Sequence, residues 1–169
     1  DDIQSFIQNF ETLIFNDGTK IENFEVVPSA PVLSAGDDDV VIDGDTSSAI
    51  NTLSGNDQVV IKGNQQHKVT LGTGNNSLEI SGDSSAKIIT GDERDTVTIT
   101  GDANSDINVG ANRDTVSITG NVNNINAGAG DDILTVGGNV VGKSAAGDGD
   151  DIVTVAGDVL GEIDGGAGD

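Results

Sequence analysis

The sequence predicts an all-β fold, a right-handed parallel β-solenoid with coils of about 19 residues. Three observations carry this: a glycine column of fixed spacing, β-branched residues at alternate positions ahead of it, and an acidic glycine turn once per period.

The glycine column is Gly44, Gly63, Gly82, Gly101, Gly120, Gly138 and Gly157, spaced by 19 residues and once by 18. Each is followed by an Asx residue: Asp45, Asn64, Asp83, Asp102, Asn121, Asn139 and Asp158. Glycine enters positive φ freely and Asx side chains bond nearby backbone, so the column reads as a tight turn with positive φ.

Two residues ahead of each glycine stand Ile42, Ile61, Ile80, Ile99, Ile118, Val136 and Val155. Two further back stand Val40, Val59, Leu78, Val97, Val116, Leu134 and Val153. A spacing of two puts both columns on one side of a short strand. After the turn comes a third column, Ile50, Val69, Ile88, Ile107, Ile125, Ser144 and Ile163, with smaller residues two positions on. Ser144 breaks that column, which predicts a locally loose turn. One unit cannot bury its own apolar face, but stacked coils align like side chains into ladders and close a narrow core. About seven coils at roughly 4.8 Å each give a rod of roughly 34 Å.

The composition would otherwise suggest disorder. The 169 residues include 29 acidic and 7 basic side chains, a net charge of -22 and 34% hydrophobic residues. Such a chain folds only if its apolar residues are regularly placed or cations neutralise its acids. The charge repels nucleic acid and anionic membranes. No apolar run is long enough for a membrane-spanning helix, so neither nucleic acid nor membrane insertion is expected. There is no cysteine, which permits an extracellular setting and leaves metal as the available staple.

The second turn carries the chemistry. Its clearest copies are Gly128-Ala129-Gly130-Asp131-Asp132 and Gly147-Asp148-Gly149-Asp150-Asp151. Earlier copies read Gly36-Asp37-Asp38, Gly55-Asn56-Asp57 and Gly74-Asn75-Asn76. Counted from the residue before the first glycine, the sixth position of the turn forms its own column: Asp38, Asp57, Asn76, Asp95, Asp114, Asp132 and Asp151. Aspartates in turns often do no more than solvate them. A stack of like charges about 5 Å apart repels itself unless neutralised, and that favours a cation. Calcium takes six to eight oxygens from carboxylates and carbonyls, and glycines let a turn curl its carbonyls inward.

From about residue 32 onward this pattern resembles the calcium-binding nonapeptide of the RTX family. Its period is nearest to the 19-residue calcium solenoids of large bacterial adhesins, which include an ice-binding type. The resemblance implies Ca²⁺ between successive turns, folding coupled to ion binding, and type I secretion to the extracellular space or bacterial surface. It implies metal ligands at Asp38, Asp57, Asn76, Gly128, Gly130, Asp132, Gly147, Gly149, Asp151 and Asp169. Glu93 and Asn112 replace the second turn glycine and are followed by Arg94 and Arg113. At Asp95 and Asp114 two occupants therefore stay open, calcium or a guanidinium holding the neighbouring carboxylates. Asn76 offers only a neutral carbonyl, a weaker ligand.

Residues 1–30 hold all four phenylalanines and read as a cap or an interruption of the repeat; residues 31–169 are the solenoid. Within the first segment, Thr12–Phe15 and Lys20–Val27 flank Asn16-Asp17-Gly18-Thr19 as strand, turn and strand. Both ends look like interrupted repeats, which suggests a segment of a longer array. No nucleophile–base set is present, and His67, the only histidine, reads as a solvated side chain. A regular ice-binding array is not evident in the turns, where only Thr73 with Asn75 fits. The expectation is a non-enzymatic, monomeric, calcium-dependent structural or adhesive segment. Its partners would be calcium, neighbouring repeats and an unidentified surface receptor or glycan. The secretion region of an RTX toxin or hydrolase is the alternative.

Overall fold

Alternating β-branched and polar residues let a short strand bury one face, but only against copies of itself. The computed structural model, which describes residues 33–168 and two short strands before them, is built on this self-stacking. The two early strands, β1 (Thr12–Ile14) and β2 (Lys20–Glu22), pair antiparallel with Leu13 opposite Ile21. The rest of the expected cap, and its seat on the solenoid, lies outside the described residues.

Each coil then contributes two strands. In chain order they are β3 (Asp39–Ile42), β4 (Ile50–Asn51), β5 (Gln58–Ile61), β6 (Val69–Thr70), β7 (Ser77–Ile80), β8 (Ile88–Ile89), β9 (Thr96–Ile99) and β10 (Ala103–Ala111). They continue as β11 (Thr115–Ile118), β12 (Val122–Ala129), β13 (Ile133–Val136), β14 (Lys143–Asp148), β15 (Ile152–Val155) and β16 (Glu162–Asp164). The odd strands from β3 to β15 form one seven-stranded parallel sheet and the even strands from β4 to β16 another. No helix occurs among the described residues.

The register places each coil over the last. Val59 pairs with Val40 and Leu78, and Val116 with Val97 and Leu134. The 18-residue coil is absorbed just after the Asx turn: Ala103 still pairs with Val122, but Asp106 pairs with Asn124. The irregularity stays outside the acidic turn, whose copies remain aligned. Between the sheets Ile61, Leu78, Ile80, Ile88, Ile99 and Ile118 are at most 1% exposed. Each contributes about 1.5–3 kcal/mol by leaving water.

Two expectations need correction. Ser144 does not loosen its turn: it is 1% exposed and paired in register with Ile125 and Ile163. Its hydroxyl, however, is buried without a partner. In the Asx column, only Gly44 has positive φ. The others are glycine because the coils approach closely. A Cβ on Gly101 would collide with the Oδ1 of Asp83. That oxygen is held in place by the next coil, accepting a hydrogen bond from the N–H of Asp102 at 2.8 Å. The Asx side chains therefore join successive coils rather than close their own turns.

One buried column was not anticipated. Thr46, Gln65, Ser84, Ala103, Val122 and Val140 are all nearly inaccessible, polar at one end of the stack and apolar at the other. The Gln65 Oε1 accepts from the Ser84 hydroxyl at 2.6 Å, and its Nε2 donates to the His67 carbonyl at 2.5 Å.

Candidate metal site

The sixth turn position lies two residues before an inward-facing core residue, so strand alternation turns its side chain inward as well. Asp132, Leu134 and Val136 share one face, and Asp132 is fully buried. Asp57, Asp95 and Asp114 are likewise at most 2% exposed.

Each carboxylate reaches back to the preceding coil. The Oδ1 of Asp57 accepts from the N–H of Asp38 at 2.9 Å, and that of Asp114 from Asp95 at 2.7 Å. The Oδ1 of Asp132 accepts from Asp114 at 2.7 Å, and that of Asp151 from Asp132 at 2.8 Å. The second oxygen is left over. Oδ2 of Asp57, Asp95, Asp114, Asp132 and Asp151 is buried with no hydrogen-bond partner. One such orphaned oxygen is costly, and five in a column call for a common explanation.

Asn76 shows what these oxygens face. Its Oδ1 accepts from the N–H of Asp57 at 3.0 Å, which fixes the amide orientation. Its Nδ2 then donates to the carbonyls of Gly74 at 2.9 Å and Thr90 at 3.3 Å. In this coil a positive amide edge sits between two carbonyls. By register, the corresponding carbonyls are those of Gly130 and Ala146 for Asp132, and those of Gly149 and Gly165 for Asp151. There a carboxylate oxygen points where an amide donor belongs. A hard cation satisfies carboxylate and carbonyls together.

The turn glycines keep this space open. Gly128, Gly130, Gly147 and Gly149 all have φ above +100°. A Cβ on Gly147 would strike the Gly128 carbonyl oxygen, and one on Gly149 the Gly130 carbonyl oxygen. Glu93 and Asn112, which stand where Gly130 and Gly149 do, also have positive φ but at 75° and 73°, in the left-handed region an L residue can reach. Among the described residues no three acidic or imidazole side chains converge on one point. Calcium here would therefore be held by Oδ2 of the sixth residue together with backbone carbonyls, a donor set of oxygens alone that fits a hard cation.

The electrostatics agree. Burial, opposed by the Asp95 N–H and reinforced by the Asp95, Asp132 and Asp92 carboxylates, pushes Asp114 up to about 7. Burial pushes Asp95 up to about 6, opposed by the nearby Thr90 hydroxyl and by the Asn76 N–H, and raises Asp132 as well. Without a cation these groups resist ionisation.

The remaining sequence-based candidates separate. The Asp38 carboxylate is taken by Ser34, whose N–H lies 3.0 Å from Oδ2 and whose hydroxyl lies 3.2 Å from Oδ1. Asp169 lies outside the described residues. Asn76 is brought into the column, but its amide already meets the carbonyls. Arg94 and Arg113 do not hold Asp95 or Asp114: both arginines are exposed, while the carboxylates are buried and keep the arrangement of Asp132. The parity of Arg113 against Asp114, Val116 and Ile118 signals this outward direction in the sequence itself. His67 is exposed, its Nδ1 2.9 Å from the Thr46 carbonyl. No helix among the described residues is long and apolar enough to cross a membrane.

Fold and turns together define a parallel β-solenoid with a column of buried turn carboxylates. The chain matches no protein-family model and no curated protein. Among solved structures it is similar to a hyperactive, Ca²⁺-dependent, β-helical antifreeze protein from an Antarctic bacterium, at 28% identity and a TM-score of 0.64. The likeness covers 83% of this chain and 60% of that one, so the chain spans about three-fifths of that protein's length.

Proposed function

We propose that this chain is a calcium-folded, rigid solenoid segment of a secreted or cell-surface protein of the RTX type, with a structural or adhesive role and no catalytic one. The column of five buried, unpartnered Oδ2 atoms carries the reading. In calcium-poor solution those carboxylates repel each other and oppose the fold. In calcium they become ligands, and the coils set one upon another. The likeness to a Ca²⁺-dependent β-helical protein supports the same view. A calcium-set secretion region of a toxin or hydrolase would use the same physics.

Far-ultraviolet circular dichroism with calcium and with excess chelator tests the reading. The β-signal is expected to collapse in chelator and return at about 10⁻⁴–10⁻³ M calcium, the range of extracellular modules. An unchanged signal after complete calcium removal contradicts it.

Ice binding is the second reading, favoured by the neighbour's printed description and by one surface. Thr96, Thr98, Thr135 and Thr154 lie exposed on the outer face of the first sheet, Thr100 and Thr119 lie exposed just beyond its strands, and Thr115 and Ser117 are half-buried. Register stacks Thr115 on Thr96 and Thr135 on Ser117. Thermal hysteresis that disappears in Thr98→Lys and Thr135→Lys would establish it. No hysteresis in the parent protein removes it.

A further inference from the structure

The chain's two arginines occupy the same turn position in successive coils, aligned by β9 and β11 with Thr96 opposite Thr115. Neighbouring strands lie about 4.8 Å apart, so the two side chains leave the surface side by side. Both are exposed, and neither guanidinium makes an ion pair or hydrogen bond among the described residues. In a chain of 29 acidic side chains, two unpaired neighbouring guanidinia are unexpected.

The position is also surrendered at a structural cost. In earlier coils it carries an Asx ladder: Asn56 N–H donates to Asp37 Oδ1 at 2.7 Å, Asn75 N–H to Asn56 Oδ1 at 2.9 Å, and Arg94 N–H to Asn75 Oδ1 at 3.2 Å. Arginine cannot accept, so the ladder stops at Arg94. An open surface cleft of about 580 Å³ lies there, lined by Asn75, Glu93, Arg94, Asn112 and Arg113.

We propose that Arg94 and Arg113 form a surface site for a carboxylate-bearing sugar of the uronate kind. A guanidinium fork matches a carboxylate in two hydrogen bonds. Glu93 is steadied by the Gly74 N–H, 2.9 Å from its Oε2, which leaves Oε1 to accept from a sugar hydroxyl. The Asn112 amide can donate and accept. No apolar or aromatic side chain lines the cleft, which disfavours an apolar ligand. Two charges make no track for a nucleic acid, whose binding needs many phosphate contacts. The site uses side chains outside the carboxylate column, so it stands or falls separately from the calcium reading.

Isothermal titration of the full chain, folded in calcium, with digalacturonate tests the site. The parent is expected to bind it saturably and to ignore the uncharged disaccharide maltose. Arg94→Gln with Arg113→Gln is expected to weaken binding by about tenfold or more, the scale of a lost charge-assisted pair. Its circular dichroism should match the parent, and the corresponding double Lys variant should fall between the two. Equal binding by the Gln variant means that the acid sugar is held elsewhere, for instance by calcium in the turns, and overturns the proposal. Absence of saturable binding by the parent overturns it too, as does displacement by inorganic sulfate at equal concentration, which would leave a generic oxyanion site.

Discussion

The N–H of Asp132 donates to Oδ1 of Asp151 at 2.8 Å across the coil boundary, and the other oxygen of that carboxylate is buried with nothing to meet it. One atom of each side chain thus joins two coils, while burial of the other without a partner opposes their joining.

Replacing Asp132 and Asp151 separates these roles. Asp132→Ala with Asp151→Ala removes both oxygens and is expected to raise the calcium midpoint for folding several-fold. Asp132→Asn with Asp151→Asn should bind fewer ions yet fold more readily in chelator, because the amide supplies the donor that Asn76 supplies. The gain in chelator is expected to be about 1–3 kcal/mol per site, the cost of an unsatisfied buried polar group. Calcium titration of both variants by circular dichroism checks this; identical midpoints for parent and Ala variant would reduce these residues to solvated turn aspartates.

Asn76→Asp is the converse. It converts an amide that donates to Gly74 and Thr90 into one more orphaned oxygen. The variant is expected to bind one additional calcium and to need a higher free calcium concentration than the parent to fold. Equilibrium dialysis with metal analysis counts the ions, and an unchanged count contradicts the assignment of those carbonyls.

The pH dependence follows from the raised carboxylates. Asp95 at about 6 and Asp114 at about 7 lie above the ordinary value of 3.8. In chelator the folded state binds protons more tightly than the unfolded chain. Their contribution to stability is therefore full below about pH 4 and is lost as pH rises through 6 to 7. In chelator the chain is expected to keep more β-signal at pH 5 than at pH 8, by circular dichroism. With calcium the order reverses, since protons compete for the ligand oxygens. A β-signal in chelator that rises from pH 5 to pH 8 contradicts the burial of these groups.

Ser144→Val tests the core independently of metal. The hydroxyl is buried unpaired in a column otherwise filled by Ile and Val. Removing it and adding apolar volume is expected to stabilise the calcium-loaded protein by about 1–2 kcal/mol, read as a higher thermal midpoint. A lower midpoint would mean that the site has no room for the larger side chain.

Much of this architecture is legible in the residues. Val59, Ile61, Leu78 and Ile80 declare both the strand period and the coil period, and nothing else in the chain competes with them. Asp132 and Asp151 stand out because glycines flank them and an apolar strand follows. What was not legible depends on how one coil meets the next. Gly101 is glycine because of an Asp83 side chain one coil away, not because of its own φ. The bond from Asp114 N–H to Asp132 exists only in the stack. Arg94 and Arg113 neighbour Asp95 and Asp114 in sequence, which suggests substitutes for an ion, whereas alternation sends neighbours to opposite faces. Gln65 gives no core signal in the sequence because it is long and polar, yet Ser84 and the His67 carbonyl satisfy it inside the coil.

The most direct test of the central claim is an anomalous difference map from crystals grown in calcium. The account predicts density beside Oδ2 of Asp132 and Asp151, about 2.3–2.6 Å from carboxylate and carbonyl oxygens, and none beside the amide of Asn76. Buried Oδ2 atoms that meet only water or a proton, or an ion seated at Asn76 instead, would contradict it.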